Sequence, residues 1–135
     1  MKDLQTPNNY FEIEQIVDLN HIDDLNHVNN VVYLEWINDI SKRHWIKLSN
    51  EKIRLKNIWV VLRHEIDYLK ASYLDDKLLI RTWVGDSSGF KSIRYTEVYK
   101  NNIVIAKAKS TWCLLDPKSL KPQRITDEIF KLFRF

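Results

Sequence analysis

The residues of this sequence best suited to chemistry lie together in one short polar stretch. Within it, carboxylates, amides and one imidazole follow almost without interruption: Asp23, Asp24, Asn26, His27, Asn29 and Asn30. An apolar, aromatic run with helical spacing follows at once. The start of a helix offers unpaired backbone N–H groups and the positive end of the helix dipole. A carboxylate such as Asp23 beside that helix start is suited to attack on a carbonyl group.

The apolar run predicts a long, largely enclosed helix over residues 30–46. Its helical spacing is carried by five bulky side chains: Tyr33, Trp36, Ile37, Ile40 and Trp45. Asn29 precedes this run and is a suitable N-cap, because its side-chain oxygen can accept a hydrogen bond from a free N–H of the first turn.

Alternating and continuous apolar patterns predict the strands that hold this helix. They cover residues 10–18, 58–70, 77–85, 90–100 and 103–115. Consecutive antiparallel strands after a single buried helix indicate an α+β fold, in which a long curled sheet wraps around the helix.

The connections are predicted from turn chemistry. Residues 49–57 are polar and predict a loop, and residues 86–89 predict a turn. Asn101 and Asn102 form a two-residue hairpin signal, since Asn tolerates positive φ. Thr126 is suited to cap a short final helix.

Composition narrows the class of protein. The chain has 135 residues, 44% of them hydrophobic and 29% charged, with 2 Gly and 3 Pro, which favours one domain over residues 1–135. The lone Cys113 excludes an internal disulfide and fits a reducing compartment. Residues 1–7 lack the apolar region of a signal peptide, and no apolar run is long enough to span a bilayer. We therefore expect a cytoplasmic protein with no membrane association. The net charge of +3 is scattered, which does not favour nucleic-acid binding.

The polar stretch and the strands after it resemble a known family. His21-Ile-Asp23 is followed by His27-Val-Asn-Asn30, Tyr33 and Trp36. The later segment 63–71, Arg-x-x-Ile-Asp-Tyr-Leu-Lys-Ala, follows the same family pattern. The chain resembles hot-dog-fold thioesterases of the 4-hydroxybenzoyl-CoA thioesterase type, in the branch of long-chain acyl-CoA and acyl-ACP thioesterases. The resemblance covers most of the chain.

The resemblance implies roles for particular residues. The family's catalytic acid lies four residues before the histidine of His-Val-Asn-Asn, which is Asp23 here, acting as general base or as nucleophile. The thioester carbonyl is polarised by a backbone N–H at the helix start, that of Asn30 or its neighbour. Plant enzymes carry an Asn two residues before this histidine, where this chain has Leu25. His27 is expected either to orient water or the acyl carbonyl, or only to bond within the loop.

Substrate contacts are expected on both sides of the reacting thioester. Tyr33 and Trp36 are expected as walls of the acyl pocket. Lys91 and Arg94, beside the Gly89 turn, are candidates to hold the phosphates of a CoA handle, the alternative being a solvated strand edge.

Other chemical groups have plainer explanations. His21, Asp23, Asp24 and His27 invite a metal site, but no known ligand spacing is present, and the resemblance implies neither metal nor cofactor. His64 adjoins Glu65 on a strand, and the structural role is favoured for both. Cys113 is interpreted as a small buried residue.

The predicted activity is hydrolysis of acyl-CoA, most readily fatty acyl-CoA, to free acid and CoA by a homodimer or homotetramer. The alternatives are an acyl-ACP thioesterase, a hot-dog hydratase or dehydratase, and a non-catalytic acyl-thioester-binding protein. RNA binding through the basic excess is a weaker alternative.

Overall fold

The structure is a computed structural model that describes residues 9–134. The segment considered above for a signal peptide lies outside these residues. The helices and strands, in chain order, are β1 (Phe11–Ile16), α1 (Asn30–Leu48), α2 (Glu51–Lys56), β2 (Ile58–Tyr68), β3 (Lys77–Ser88), β4 (Lys91–Lys100), β5 (Ile103–Leu115) and α3 (Asp127–Phe133). A short 3₁₀ helix, Leu19–His21, lies between β1 and α1.

The strands form one antiparallel sheet in the order β1-β3-β4-β5-β2. The inner face of β3 carries Leu78, Ile80 and Thr82, which alternate with more exposed residues as a strand with one covered face requires. α1 packs on this face, and its Val32, Trp36 and Ile40 are buried in the main core. The predicted α+β arrangement of a sheet around one helix is confirmed.

The start of α1 is fixed as its sequence predicts. The Asn29 side chain accepts a hydrogen bond from the Val31 N–H at 3.0 Å. The turn at Asn101 and Asn102 is also confirmed, since both residues have positive φ, 51° and 64°. Thr126 caps α3, as predicted.

Two predicted connections are wrong. Residues 49–57 are not all loop, because α2 forms within them once Asn50 accepts the Ile53 N–H at 2.9 Å; six residues are too few for a periodic apolar pattern to reveal a helix. The turn predicted at 86–89 is narrower, since β3 continues to Ser88 after a register shift between Val84 and Ser87.

Truncating the buried face of α1 should destabilise the fold. Ile40 is 0% exposed, so Ile40→Ala leaves a cavity and should lower the free energy of unfolding by about 2–5 kcal/mol. Ile46, on the same helix, is 56% exposed, and Ile46→Ala is the matched control with an expected change of about 0.5 kcal/mol or less. Urea denaturation of both variants measures the difference. Equal losses would contradict the placement of Ile40 in the core.

Candidate active site

The polar stretch folds into a tight loop in front of α1. The Asp23 N–H donates to the His27 carbonyl and the Asn26 N–H to the Asp23 carbonyl, both at 3.0 Å. Ile22 and Val28 form a bridge across the base of the loop. Asn26 has φ of 64°, a left-handed conformation that Asn tolerates better than most residues. The loop is therefore held by its own backbone, and the positions of Asp23 and His27 are defined by it.

The Asp23 carboxylate has one oxygen engaged in the loop. Its Oδ1 accepts a hydrogen bond from the Leu25 N–H at 2.9 Å. The same Oδ1 lies 3.6 Å from Nδ1 of His27, and the Asp23 side chain is 25% exposed. Within residues 9–134, Oδ2 of Asp23 has no hydrogen-bond or ion-pair partner. The side chain thus braces the turn through one oxygen and leaves the other available.

The His27 ring is placed between two acceptors. Its Nδ1 lies 3.4 Å from the Val28 carbonyl oxygen and 3.6 Å from Asp23 Oδ1. Both distances are long for a hydrogen bond, yet both neighbours favour the tautomer with hydrogen on Nδ1. In that tautomer Nε2 of His27 is the basic nitrogen.

A cavity opens beside this loop at the amino end of α1, and we call it the amino-end cavity. Its volume is about 180 Å³. It is lined by residues from the loop, the first turn of α1 and the segment that ends β2: His27, Val28, Asn30, Tyr33, Tyr68, Leu69, Lys70 and Ala71. Three residues predicted for the site from sequence, His27, Asn30 and Tyr33, therefore face one space, with Asp23 directly behind His27.

The first turn of α1, which lines this cavity at Asn30, has a backbone donor that is unpaired in the described structure. The Val31 N–H is bound by the Asn29 side chain, and the Val32 N–H donates to the Asn29 carbonyl at 2.9 Å. Among the described residues, the Asn30 N–H has no acceptor. The Tyr68 hydroxyl donates to the Asn30 carbonyl at 3.3 Å, which ties the end of β2 to the helix start. Of the two N–H groups considered from sequence, that of Asn30 is the one left unpaired.

A comparison with protein families decides what kind of protein this arrangement belongs to. The family model named acyl-ACP thioesterase N-terminal domain matches residues 8–133 of this sequence. The chain belongs to the acyl-ACP thioesterase family. The resemblance recognised in the sequence is confirmed, and by family this chain is a thioester hydrolase.

Solved structures share the hot-dog fold with this thioesterase. A predicted thioesterase from Bacillus stearothermophilus is 22% identical, covers 93% of this chain and 94% of its own, and has a TM-score of 0.82. A thioesterase from Thermus thermophilus, complexed with coenzyme A and Zn, is 22% identical over 91% of this chain and 90% of its own, with a TM-score of 0.81. A 1,4-dihydroxy-2-naphthoyl-CoA thioesterase from Synechocystis is 15% identical over 93% and 96%, with a TM-score of 0.77. No curated protein matches the chain significantly.

The aromatic residues predicted as walls lie in two layers. Tyr33 lines the amino-end cavity, and its hydroxyl is 2.6 Å from Oγ of Ser72. Burial raises the pKa of Tyr33, so the phenol stays neutral. Trp36 lies behind it, 6% exposed, with its ring edge-to-face against Tyr33 and His21. Tyr33 can touch a ligand in the cavity, and Trp36 supports Tyr33 from the core.

The structure does not bring Lys91 and Arg94 together. Residues three apart in a strand point to opposite faces of a sheet. Lys91 is exposed beside the Phe90 ring, whereas Arg94 is 7% exposed on the inner face under α1. The solvated strand edge weighed from sequence is wrong for Arg94, and the two cations cannot hold one phosphate group jointly.

Sequence reasoning missed the contribution of β2 to the site. Tyr68 and Lys70 line the amino-end cavity, and Lys70 is exposed there. Both lie in the segment 63–71 that carries part of the family pattern, so the signal was present. It does not by itself say that the end of β2 meets the start of α1.

The remaining chemical groups of the thioesterase have structural partners or are buried. His64 Nδ1 lies 2.7 Å from Ser110 Oγ, and its Nε2 lies 3.2 Å from Asn38 Oδ1. Cys113 is buried, as predicted. In residues 9–134, no group of three or more His, Cys, Asp or Glu side chains is arranged to hold a metal ion. None of the helices described is long and apolar enough to cross a membrane.

Arg94 is paired with a buried histidine on α1. Its Nη1 donates to Nδ1 of His44 at 2.8 Å and to Oγ1 of Thr82 at 3.2 Å. Because a guanidinium can only donate, His44 accepts through Nδ1 and is neutral. Burial, with help from Arg94 and Lys47, lowers the pKa of His44 to about 3. Burial also lowers the pKa of Arg94 to about 10.

This pair should make stability depend on pH in acid. Between pH 6.5 and about 3 the unfolded chain binds a proton at His44 that the folded chain excludes, so stability is lost as the pH falls through this window. The slope from His44 approaches about 1.4 kcal/mol per pH unit. We expect His44→Gln, which keeps an acceptor for Arg94, to flatten the pH dependence of urea unfolding.

His64→Gln is the comparison variant. Burial lowers the pKa of His64 as well, so His64 contributes to the same pH dependence of stability and its share must be measured separately. A His44→Gln curve parallel to that of the unmodified protein between pH 6.5 and about 4 would contradict the neutral, buried state of His44.

Proposed function

We propose that this thioesterase hydrolyses acyl-CoA, with fatty acyl-CoA as the preferred class, to free acid and CoA. The observation that carries the proposal is the amino-end cavity, which is lined by His27 and by Asn30 with its unpaired N–H, with the Asp23 carboxylate 3.6 Å from the His27 ring. A thioester carbonyl there can meet a hydrogen-bond donor on its oxygen and a carboxylate near its carbon. These are the two requirements of thioester cleavage.

The proposed reaction begins when Asp23 removes a proton from a water molecule and the water oxygen attacks the thioester carbon. The negative charge that develops on the carbonyl oxygen is stabilised by the Asn30 N–H and the positive end of α1. The C–S bond then breaks, and CoA leaves as a thiolate, which needs no strong general acid. His27 orients the water or the carbonyl.

A second route through Asp23 gives the same products. The carboxylate itself attacks the thioester carbon, forms a mixed anhydride and releases the thiolate. Water then cleaves the anhydride and restores Asp23. In either route, the free oxygen of Asp23 is the reactive atom.

The substrate assignment is supported by the walls of the cavity and by the relatives. Tyr33, Tyr68 and Leu69 offer apolar surface to the acyl end. Lys70 places a cation at the same cavity, where it is suited to bind a phosphate of the CoA handle. The Thermus structure contains coenzyme A, which supports CoA as the carrier.

Acyl-ACP is the second candidate, because the matched family is named for that carrier. CoA and ACP present the same phosphopantetheine thioester, so the reacting groups are unchanged. Leu25 stands where the plant enzymes carry Asn, which weighs against their Asn-His mechanism here.

The proposal includes a cytoplasmic homodimer or homotetramer. The lone Cys113 is typical of a reducing compartment. β2 is an edge strand, and its Val60, Val61 and Leu62 are 36%, 37% and 54% exposed. An apolar edge of this kind is suited to pair with a second sheet.

Thiol release with Ellman's reagent, across short, long and aromatic acyl-CoAs and the corresponding acyl-ACPs, tests the proposal. We expect turnover of acyl-CoA with a preference for fatty acyl chains. Turnover of acyl-ACP alone would show that the carrier is ACP and not CoA, while the proposed reaction at the thioester would stand. Binding without turnover of any thioester would overturn the proposal, and loss of enoyl absorbance from crotonyl-CoA without thiol release would indicate a hydratase.

A further inference from the structure

A second, larger cavity lies at the other end of α1, and we call it the carboxyl-end cavity. Its volume is about 300 Å³. Trp45 from α1, Trp59 from β2 and Phe133 from α3 form an aromatic wall, with ring centroids 5.8–6.2 Å apart. With a rise of about 1.5 Å per residue, roughly 20 Å of α1 separates this wall from the amino-end cavity. The reaction proposed above makes no use of it.

Among the described residues, two buried hydrogen-bond donors at this cavity are incompletely paired. The Arg94 guanidinium has no anionic partner, and the Trp112 indole N–H has no acceptor. Arg94 is 7% exposed, and its partners, His44 and Thr82, are both neutral. No carboxylate in residues 9–134 forms an ion pair with Arg94. The Nε1–H of Trp112 is buried and has no hydrogen-bond partner in the described structure.

Such an arrangement is unfavourable for the folded chain by itself. Burying a cation without a counterion, or an N–H without an acceptor, costs free energy, and folded proteins normally satisfy such groups. The other charged side chains that line the cavity, Lys42 and Arg54, are also cationic. The residues that the structure describes therefore supply no anion for the positive charge of Arg94.

We propose that the carboxyl-end cavity is a binding site for a carboxylic acid with an apolar body. The carboxylate pairs with the Arg94 guanidinium and accepts from the Trp112 N–H. The apolar body lies against Trp45, Trp59 and Phe133. A carboxylate fits because a guanidinium binds its two oxygens in one plane, and its single charge matches the single buried guanidinium.

The choice of a monocarboxylate also follows from the walls. A phosphate monoester carries close to two negative charges at neutral pH. Of the other cations at the cavity, Lys42 is exposed and Arg54 already donates to the Ser49 carbonyl and hydroxyl, so among the described residues Arg94 is the one buried cation there that lacks an anion. An uncharged alcohol with the same apolar body as the acid can pack against the aromatic wall, but it leaves Arg94 without a counterion.

Two-dimensional NMR of the indole N–H groups tests this site, with octanoate, octanol and octyl phosphate as probes. The Trp112 resonance is assigned by its loss in Trp112→Phe. We expect octanoate to shift this resonance and to bind at least about tenfold more tightly than octanol, since a charge-assisted hydrogen bond contributes more than a neutral one. Equal binding of octanol, or tighter binding of octyl phosphate, would overturn the proposal.

Substitutions of Arg94 and Trp112 test the role of each donor, and a control substitution tests the general effect of removing a positive charge. Arg94→Gln should reduce octanoate binding to the level of octanol, and Trp112→Phe should weaken octanoate binding while leaving octanol binding in place. Lys109→Gln is the matched control, because it removes one positive charge from the exposed face of β5 and should leave octanoate binding unchanged.

If Arg94→Gln does not fold, the Trp112 resonance and Trp112→Phe still decide the question. The same ¹H–¹⁵N spectrum contains the backbone amides, and octanoate-induced shifts confined to the amides of His27 and Asn30 would place the acid in the amino-end cavity and overturn the proposal. This outcome is separate from any failure of the proposed thioesterase reaction, because binding at the Trp112 end is measured without turnover.

Discussion

Asp23→Asn should lower kcat for acyl-CoA hydrolysis by about 10²–10⁴-fold, the range that a positioned acid or base contributes in other enzymes. The amide keeps an oxygen that can accept from the Leu25 N–H, so the turn in front of α1 should persist. It cannot take up a proton from water or attack the thioester. The loss should therefore fall on kcat, with little change in KM or in the free energy of unfolding. Thiol release and urea denaturation measure the two quantities.

Asp24→Asn provides the matched control, since Asp24 is an exposed neighbour in the same turn and should tolerate the change. Mass spectrometry of Asp23 after turnover in H₂¹⁸O distinguishes the two routes, because only the mixed-anhydride route can place ¹⁸O in the carboxylate. Full activity of Asp23→Asn would leave the fold and family in place and refute Asp23 as the catalytic carboxylate.

Asn30→Pro should lower kcat by about 10²–10³-fold, the loss seen when one oxyanion donor is removed elsewhere. Proline deletes the backbone N–H that is free in the first turn of α1, and proline is well tolerated at the first helical position. The preceding Asn29 has φ of −63° and ψ of 136°, an extended conformation that suits a residue before proline. The helix should therefore form normally, and circular dichroism checks this.

Asn30→Ala separates the backbone from the side chain, because it removes the amide group and retains the N–H. We expect Asn30→Ala to keep most of its activity. If the alanine variant loses as much activity as the proline variant, the Asn30 side chain is the functional group and the backbone donor is refuted.

Much of the fold follows from local patterns that do not depend on distant contacts. The helical spacing from Tyr33 to Trp45 and the cap at Asn29 predict α1. The alternation along residues 103–115 predicts β5 with the bounds that the structure has. Each pattern records which face a segment buries, and the sheet and helix bury those faces against each other.

The missed features depend on tertiary packing. α2 is a single turn-and-a-half stabilised by the Asn50 cap and by packing of Ile53, which is 7% exposed. Arg94 reads as one cation in an alternating strand, and its burial depends on α1 bringing His44 over it. Strand alternation places Lys91 and Arg94 on opposite faces, but only the packed fold shows which of the two faces is covered.

The residues of the candidate site also fall into two groups, those predicted from local sequence and those brought to the site by tertiary packing. Asp23, His27 and Asn30 are close in sequence and are predicted as one group. Tyr68 and Lys70 line the same cavity at the carboxyl end of β2. The antiparallel pairing of β2 with β5 places this strand end beside the start of α1. Their residue types gave no hint of which strand end would face the helix.

The two edges of the sheet differ in a way that limits its growth. The outer edge strand β1 is short, and its Glu12 and Glu14 form ion pairs with Arg81 and Lys77, whereas β2 leaves apolar side chains in water. A contact between two β2 edges would be related by a two-fold axis and would occupy both apolar edges at once. In the sheet that residues 9–134 form, the charged β1 edges would then remain at the two ends, so this mode of association stops at a closed pair and does not propagate into a fibre.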